Sequence, residues 1–138
     1  MNEDTVKVGI NKEAIKIGFI GAGYMGYGMA HNLLKNKFSV SVIAHKNRKP
    51  IEKLLDEGAT ECKSMKELGE INNVIVMCVT NTPIATEVAN EIVSHLNEDD
   101  LVIDITTHQV NGSIEIEKIF STNKINYVES PVMGGPIQ

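Results

Sequence analysis

Three glycines between an apolar run and an amphipathic segment constrain the fold of this chain more than any other feature. Gly21, Gly23 and Gly26 follow an apolar run that ends at Ile20, and a segment of helical period begins at Tyr24. Glycine loses more conformational freedom on folding than any other residue. A cluster of glycines at this place therefore indicates that the backbone turns sharply or must be approached closely.

Nearly continuous apolar runs alternate with segments of helical period along the rest of the chain. Strands of this kind, separated by helices, are typical of a parallel sheet with both faces covered. We therefore predict an α/β fold, a doubly wound, mainly parallel sheet of the Rossmann type with helices on both faces. Thr82 and Pro83 read as the N-cap and first residue of one helix, whose apolar stripe is Ile84, Val88, Ile92 and Leu96. The predicted strands are 15–20, 39–44, 59–62, 74–79, 101–105 and 125–128, and the other predicted helices are 24–35, 50–57, a short one opened by the capping-box pattern at 64–67, and 110–120.

Length and composition indicate one ordinary globular domain. The chain has 138 residues, of which 42% are hydrophobic. We expect residues 1–14 to be a short extension and 15–138 to be the domain, shortened at its C-terminal end. A net charge of −5 disfavours general binding to nucleic acid or to an anionic membrane. Cys62 and Cys78 lack metal-type spacing, and Cys78 is expected to be a reduced core residue, which favours the cytoplasm.

The glycine segment has the spacing Gly-x-Gly-x-x-Gly after a predicted strand and at the start of a predicted helix. In that context the pattern indicates a dinucleotide site. Gly21 would make the tight turn, Gly23 would let the backbone approach a pyrophosphate, and Gly26 would allow close packing of helix on strand. The amides of the helix N-terminus would meet the phosphate charge, while the side chains of Met25 and Met29 are expected in the core. The candidate contacts are Gly21, Ala22, Gly23, Tyr24, Met25 and Gly26.

The loop after the second predicted strand favours NADP over NAD. An NAD site usually places an acid there to bond the ribose 2′-hydroxyl, but residues 40–50 contain none. They contain instead a basic cluster, which a 2′-phosphate would explain because Arg can bind it with two parallel hydrogen bonds. The alternative is a solvated loop before a helix. The candidate 2′-phosphate residues are Lys46, Asn47 and Arg48.

Other kinds of site have weaker support. Asp104 and His108 could belong to a hydrolase triad, but the chain has no Gly-x-Ser-x-Gly elbow. His108 could approach a substrate, although a surface-loop position is favoured. His31 and His95 lie in predicted helices without ligand partners nearby, so no metal site is expected.

Five segments in order resemble the beta-hydroxyacid dehydrogenase family, which includes 3-hydroxyisobutyrate dehydrogenase and the glyoxylate/succinic semialdehyde reductases. The segment KIGFIGAGYMGYGMAHNLLK resembles the family's opening, and NRKPIEKLLDEGA resembles the region after its second strand. VIVMCVTNTPIATEV, VIDITTHQV and YVESPVMGGP are similar to its cofactor loop, its Asp-x-Ser-Thr stretch and its Asp-Ala-Pro-Val-Ser-Gly-Gly segment. The family's cofactor domain is related to that of 6-phosphogluconate dehydrogenase.

The resemblance implies roles for residues beyond the glycine motif. It implies that the chain binds a nicotinamide cofactor and that hydride passes between it and a small beta-hydroxyacid or semialdehyde. A carboxylate-bearing substrate would meet Met133, Gly134 and Gly135, although Met133 replaces the family's serine and cannot donate a hydrogen bond. The implied contacts on the nicotinamide–ribose side are Val79, Thr80, Asn81 and Thr107.

The family's proton donor or acceptor is a lysine on a long helix that would follow Gln138. The resemblance therefore implies that this chain alone lacks a catalytic residue and the helical second domain through which full-length relatives form homo-oligomers. The alternative is a non-catalytic nucleotide-binding fragment or one half of a split enzyme.

Overall fold

A six-stranded parallel sheet forms the centre of the molecule. The computed structural model describes residues 10–21, 23–44 and 46–132, with Tyr24 described by its backbone alone. The strand order is β3-β2-β1-β4-β5-β6, and every described pairing is parallel. This order is the doubly wound arrangement predicted from the alternating apolar runs. The strands are β1 Lys16–Ile20, β2 Ser39–Ile43, β3 Thr60–Cys62, β4 Val74–Met77, β5 Leu101–Asp104 and β6 Asn126–Glu129.

The helices between the strands cover both faces of the sheet. Buried residues of α1 and α2 pack on one face, with Phe19 and Val42 of the sheet. Buried residues of α3, α4 and α5 pack on the other face, with Ile75 and Val102. The helices are α1 Tyr24–Lys35, α2 Lys49–Asp56, α3 Met65–Ile71, α4 Thr82–Ile92 and α5 Val110–Ser121, with short 3-10 helices at Lys12–Ala14 and Val93–His95.

The strand order reverses at β1, and a crevice opens at this reversal. From β1 the chain passes through α1 to β2 on one side, whereas after β3 it passes through α3 to β4 on the other. Beyond the carboxyl ends of β1 and β4 the two connections diverge. In open α/β sheets this is where ligands bind.

The helices begin within one residue of the predicted positions, and α2 and α4 each begin one residue earlier than predicted. The N-cap of α4 is Asn81, whose side-chain oxygen accepts a hydrogen bond from the Ile84 amide at 3.1 Å. The prediction that Thr82 caps this helix was wrong by one residue. The predicted cap at Ser64 is confirmed, since its hydroxyl accepts from the Glu67 amide at 3.1 Å.

Two apolar predictions also need correction. Met25, expected in the core, lies in the first turn of α1 with 37% of its surface exposed. Ile84 is 39% exposed, because the buried stripe of α4 is centred one residue later, on Ala85, Val88, Ala89 and Ile92. Within the described residues, none of the helices is long and apolar enough to cross a membrane.

Candidate functional site

In the glycine turn, backbone atoms pack directly against other backbone atoms, with no room for side chains at two positions. Gly21 follows β1 with a φ of +92°, a conformation that side chains disfavour. A Cβ at Gly21 would collide with the carbonyl oxygen of Cys78, and a Cβ at Gly26 would collide with the carbonyl oxygen of Gly21. The fold therefore needs glycine at both positions, in the tight turn and close helix packing predicted for them.

Gly23 is different, because no described neighbour requires it to be glycine. It is the N-cap of α1, with an ordinary φ of −75°, and a Cβ there would meet no atom of the described residues within 4 Å. Its backbone is exposed at the mouth of the crevice. The described packing therefore gives no steric reason for glycine at this position. Gly28 also has open space around it and has no packing role.

A cavity of about 300 Å³ adjoins the glycine turn and the loop after β2. This volume lies at the lower end of the range for small-molecule sites, so it suits one part of a dinucleotide. Two ammonium groups and one amide give the cavity the polar lining that a phosphate would need. The lining residues are Gly23, Tyr27, Asn47, Lys49, Pro50 and Lys53.

Arg48 makes an ion pair at the edge of this loop. Its Nη1 and Nη2 donate to the two carboxylate oxygens of Glu61 on β3, at 2.9 and 3.3 Å. The hydrogen bond to Glu61, more than the charge of that carboxylate, raises the pKa of Arg48. Two of the five guanidinium donors are thus engaged. Lys46, Asn47 and Arg48 are all exposed, so the basic loop faces outwards as a binding loop or a solvated loop would.

A polar cluster supports the far side of the cavity. Tyr27 donates from its hydroxyl to Glu57 at 2.9 Å, and His31 Nδ1 lies 2.7 Å from the other oxygen of the same carboxylate. The hydrogen bonds from His31 and then Tyr27 hold the pKa of Glu57 below its usual value. Lys53 Nζ lies 5.9 Å from the centre of the Tyr27 ring, within cation–π range. His31 thus has a carboxylate partner, Glu57.

The candidate nicotinamide residues lie together at the ends of β4 and β5. The Val79 amide donates to the Thr106 hydroxyl at 3.1 Å, which ties the loop after β4 to the loop after β5. Thr80, Asn81 and Thr107 are exposed beside this contact. The Asn81 amide oxygen caps α4 by accepting from the Ile84 amide, so this oxygen is already engaged within the protein.

Sequence reasoning missed a buried network centred on Asp104. Its Oδ2 accepts from Tyr127 Oη at 2.8 Å and from His108 Nε2 at 2.6 Å, while Oδ1 accepts from the Thr106 amide at 2.9 Å. The other ring nitrogen of His108, Nδ1, lies 2.9 Å from Thr82 Oγ1. The side chains of Asp104 and His108 have no exposed surface, so the expected surface-loop position of His108 was wrong.

The network contains an aspartate, a histidine and a hydroxyl, as a catalytic triad does, but a substrate cannot reach the histidine. A general base must exchange a proton with a substrate, and the buried imidazole of His108 offers it no contact surface. Burial first, and then the hydrogen bond to Asp104, raise the pKa of Tyr127 far above its usual range, so Tyr127 stays a neutral donor. The geometry therefore indicates a support for the site. Among the residues that the structure describes, no cluster of His, Cys, Asp or Glu could hold a metal ion.

The two cysteines are free thiols in different environments. Cys62 is fully buried, whereas Cys78 is half-buried behind the glycine turn, so the expected core position is confirmed only partly for Cys78. Burial raises the pKa of both thiols. Ala22, Met133, Gly134 and Gly135 lie outside the described residues, as does the side chain of Tyr24.

Comparisons with known proteins agree with this geometry. The chain is 28% identical over 127 residues to 2-(hydroxymethyl)glutarate dehydrogenase from Eubacterium barkeri, covering 90% of this chain and 42% of that protein. It is 28% identical over 123 residues to glyoxylate/succinic semialdehyde reductase 1 from Arabidopsis thaliana, covering 87% of this chain and 42% of that protein. The chain thus spans about two-fifths of the length of these relatives.

A solved structure shows the same architecture. The crystal structure of 3-hydroxyisobutyrate dehydrogenase from Salmonella typhimurium superposes with a TM-score of 0.80 at 25% identity, covering 88% of this chain and 43% of that chain. The resemblance to beta-hydroxyacid dehydrogenases predicted from the sequence is confirmed by these relatives. Residues 16–138 match the model of one protein family, and by that match the chain belongs to the family described as the NAD binding domain of 6-phosphogluconate dehydrogenase.

Proposed function

We propose that the chain is the NADP(H)-binding domain of an oxidoreductase that transfers hydride between the nicotinamide and a small beta-hydroxyacid or semialdehyde. Gly23 carries this proposal, because it is an exposed glycine at a helix N-terminus where the fold itself would accept a side chain. The pyrophosphate would lie against the Gly23 backbone and accept hydrogen bonds from the first amides of α1. The nicotinamide would then extend towards Val79, Thr80, Asn81 and Thr107.

The preference for NADP rests on the composition of the loop after β2. No acid occupies residues 40–50, and Lys49 and Lys53 line the cavity beside Gly23. Arg48 can keep its bonds to Glu61 and still use its remaining donors for a 2′-phosphate. Asn47 lines the same cavity, so two ammonium groups and an amide surround the proposed phosphate position, and Lys46 and Arg48 add two exposed cations to the adjoining loop.

Turnover would need residues that the cofactor domain does not provide. The relatives are more than twice as long as the match, and their names are those of dehydrogenases and reductases. We propose that the carboxylate-bearing substrate meets Met133, Gly134 and Gly135, and that a lysine from a following helical domain handles the proton. Without such a group the rate would fall by about 10²–10⁴-fold.

A non-catalytic nucleotide-binding fragment, or one half of a split enzyme, is the second candidate. In this case the chain would bind the cofactor without itself turning over a substrate. Assembly of the longer enzyme into homo-oligomers would likewise depend on the helical domain. The thiols of Cys62, which is buried, and of Cys78, which is partly buried, are not joined to another cysteine, and this favours a reducing compartment such as the cytoplasm.

Calorimetric titration with NADPH and NADH tests the proposal. Wild-type protein should bind NADPH more tightly than NADH, and Arg48→Ala should weaken NADPH binding while leaving NADH binding unchanged. Gly23→Ala should weaken binding of both nucleotides at least about tenfold, because its methyl group occupies the pyrophosphate position, yet the folded apoprotein should lose less than about 1 kcal/mol.

Gly28→Ala is the matched control for Gly23→Ala. Among the described residues a Cβ at Gly28 also meets no atom within 4 Å, and the position lies further along the same helix. The change should leave nucleotide affinity unaltered and stabilise α1 by about 0.5–1 kcal/mol. Folded wild-type protein that binds neither nucleotide would overturn the proposed function.

A further inference from the structure

The segment between β4 and α4 is held at two points by the loop that follows β5. At one point the Val79 amide donates to the Thr106 hydroxyl at 3.1 Å. At the other, Thr82 Oγ1 lies 2.9 Å from His108 Nδ1. Thr106 and His108 are in turn both bound to Asp104, so one buried carboxylate fixes both attachments. Residues 79–82 are therefore connected to β5 at both ends of the segment.

The same segment forms the wall behind the glycine turn. Cys78 donates from its amide to the Ile20 carbonyl at 2.8 Å, continuing the β1–β4 pairing. The Cys78 carbonyl oxygen occupies the space that a Cβ on Gly21 would need, and the Cys78 Cβ would lie 3.7 Å from one on Gly26. A displacement of residues 78–82 would thus change the space available to the turn and to the start of α1.

We propose that His108 is a positioning residue for the dinucleotide, acting through Thr82 to hold residues 79–82 in the geometry that the bound cofactor requires. This inference rests on the proposed function. A loop that is already ordered in its bound shape loses less entropy when the ligand binds, so the His108–Thr82 contact contributes to affinity without touching the ligand. No contact of His108 with cofactor or substrate is implied.

The hydrogen bonds require a ring nitrogen and a hydroxyl at these two places. A carboxylate only accepts, so the His108 Nε2 proton points to Asp104. In the neutral ring Nδ1 then accepts from the Thr82 hydroxyl, and in the charged ring Nδ1 donates to it. Because the His108 side chain has no exposed surface, water does not reach Nδ1 to replace a lost hydroxyl.

Two substitutions at residue 82 separate the hydroxyl from the shape of the side chain. Thr82→Val keeps both branches and removes the hydroxyl, whereas Thr82→Ser keeps the hydroxyl and removes the methyl. That methyl, Cγ2, lies close to Gly112 of α5, where a Cβ would collide with it, so serine loses packing between the helices. A purely structural role for Thr82 predicts that both variants lower stability and neither changes affinity selectively.

The positioning role predicts a different pattern. Thr82→Val should raise the NADPH dissociation constant by about 5- to 30-fold, measured well below the melting transition, and Thr82→Ser should stay within about twofold of wild type. Tyr127→Phe is a second control, since it removes one hydroxyl bound to the same Asp104 oxygen without disturbing Thr82. Its affinity should also remain within about twofold, although its stability falls.

Amide hydrogen exchange of the ligand-free protein gives a readout that needs no nucleotide. The Ile84 and Ala85 amides donate to the Asn81 cap, in the first turn of α4. Their exchange should accelerate at least about fivefold in Thr82→Val and not in Tyr127→Phe. Equal NADPH affinity of wild type and Thr82→Val, or unchanged exchange at these amides, would overturn the inference while leaving cofactor binding intact. Absence of NADPH and NADH binding by folded wild type would instead overturn the proposed function itself.

Discussion

At the ends of β1 and β2 the amides and cationic side chains face outwards, whereas at the ends of β4, β5 and β6 the polar groups bond to one another. The first region, the open half, comprises the glycine turn and the loop 46–50. The second, the closed half, comprises residues 78–82, 104–108 and Tyr127. Within the described residues no buried side-chain nitrogen or oxygen lacks a hydrogen-bond partner, and the closed half contains the most extensive of these networks.

This difference suits the open half to ligand binding and the closed half to structural support of the neighbouring loops. The open half presents Gly23 and Lys49 to solvent beside a cavity of about 300 Å³, so its polar groups are available to a ligand. The closed half satisfies Asp104 and His108 internally, and its contact with Gly21 lies behind the turn. Changes in the open half should therefore act mainly on affinity, and changes in the closed half mainly on stability, apart from the bond between His108 and Thr82.

The largest expected effect comes where the two halves touch. Gly21→Ala places a methyl against the Cys78 carbonyl oxygen in a residue with φ of +92°, and should cost about 4 kcal/mol of unfolding free energy. Urea denaturation followed by circular dichroism measures this. Gly58→Ala is the control, since Gly58 has a φ of +107° but open space, so only the backbone cost of about 1–2 kcal/mol should appear. Equal losses would show that the contact with Cys78 is unimportant.

The second largest effect is expected when Asp104, the charged residue at the centre of the closed half, is replaced. Asp104→Asn keeps an acceptor for the Thr106 amide but turns an NH₂ group towards the donors of His108 and Tyr127. We expect a loss of about 3 kcal/mol in the free energy of unfolding. Asp99→Asn, at an exposed position with φ of +71°, should change stability by less than about 0.5 kcal/mol because Asn tolerates that conformation. An Asp104→Asn variant that loses little free energy of unfolding would contradict this stabilising role of the network.

A smaller effect, on selectivity alone, is expected from the open half. Lys49→Ala removes an ammonium group from the cavity and should weaken NADPH binding about tenfold, or about 1.4 kcal/mol, with NADH within about twofold of wild type. Competition between the two nucleotides in a fluorescence titration measures the ratio. Lys63→Ala, an exposed lysine beyond β3 and outside the cavity lining, should leave the ratio unchanged. Parallel weakening of NADPH and NADH by Lys49→Ala would argue against a 2′-phosphate subsite.

The smallest effect concerns the pH dependence of stability. Because hydrogen bonds from His31 and Tyr27 lower the folded-state pKa of Glu57, its contribution is complete above the unfolded carboxyl pKa of about 4.3 and disappears as pH falls through the lower folded value. The stability of wild type should therefore exceed that of Glu57→Gln at pH 7, with the gap closing below about pH 4. Urea unfolding at several pH values tests this, with Glu87→Gln on the exposed side of α4 as the control. A gap that does not begin to narrow as the pH falls below about 4 would contradict the assignment.

Local patterns predicted the open half well. The period change at Tyr24 gave the bounds of α1 correctly, and glycine spacing predicted the contacts of Gly21 and Gly26, because backbone sterics act over a few residues. The ion pair of Arg48 with Glu61 could not be predicted in this way. It depends on β2 and β3 lying side by side, which local sequence does not state.

The closed half was harder to predict because its partners are far apart in the sequence. His108 follows a strand, where most polar residues face solvent, and only the fold brings Thr82 to it. The pairing explains the cap of α4 as well, since the Thr82 hydroxyl engages His108 and leaves the cap to Asn81. Met25 was misplaced because helical spacing puts it on the same stripe as Met29 and does not show that the first turn of α1 leaves it 37% exposed.

Two-dimensional ¹H–¹⁵N NMR of the chain during titration with NADPH tests the central claim most directly. The account predicts that the largest shifts occur at the amides of Gly23–Gly26 and Asn47–Lys49, with smaller ones at Thr80 and Asn81. A second surface groove of about 300 Å³, between α5 and β6, is lined by Ser113, Ile114, Glu117, Tyr127 and Glu129. Shifts confined to that groove, or no shifts at saturating NADPH, would contradict the assignment of the glycine turn as the cofactor site.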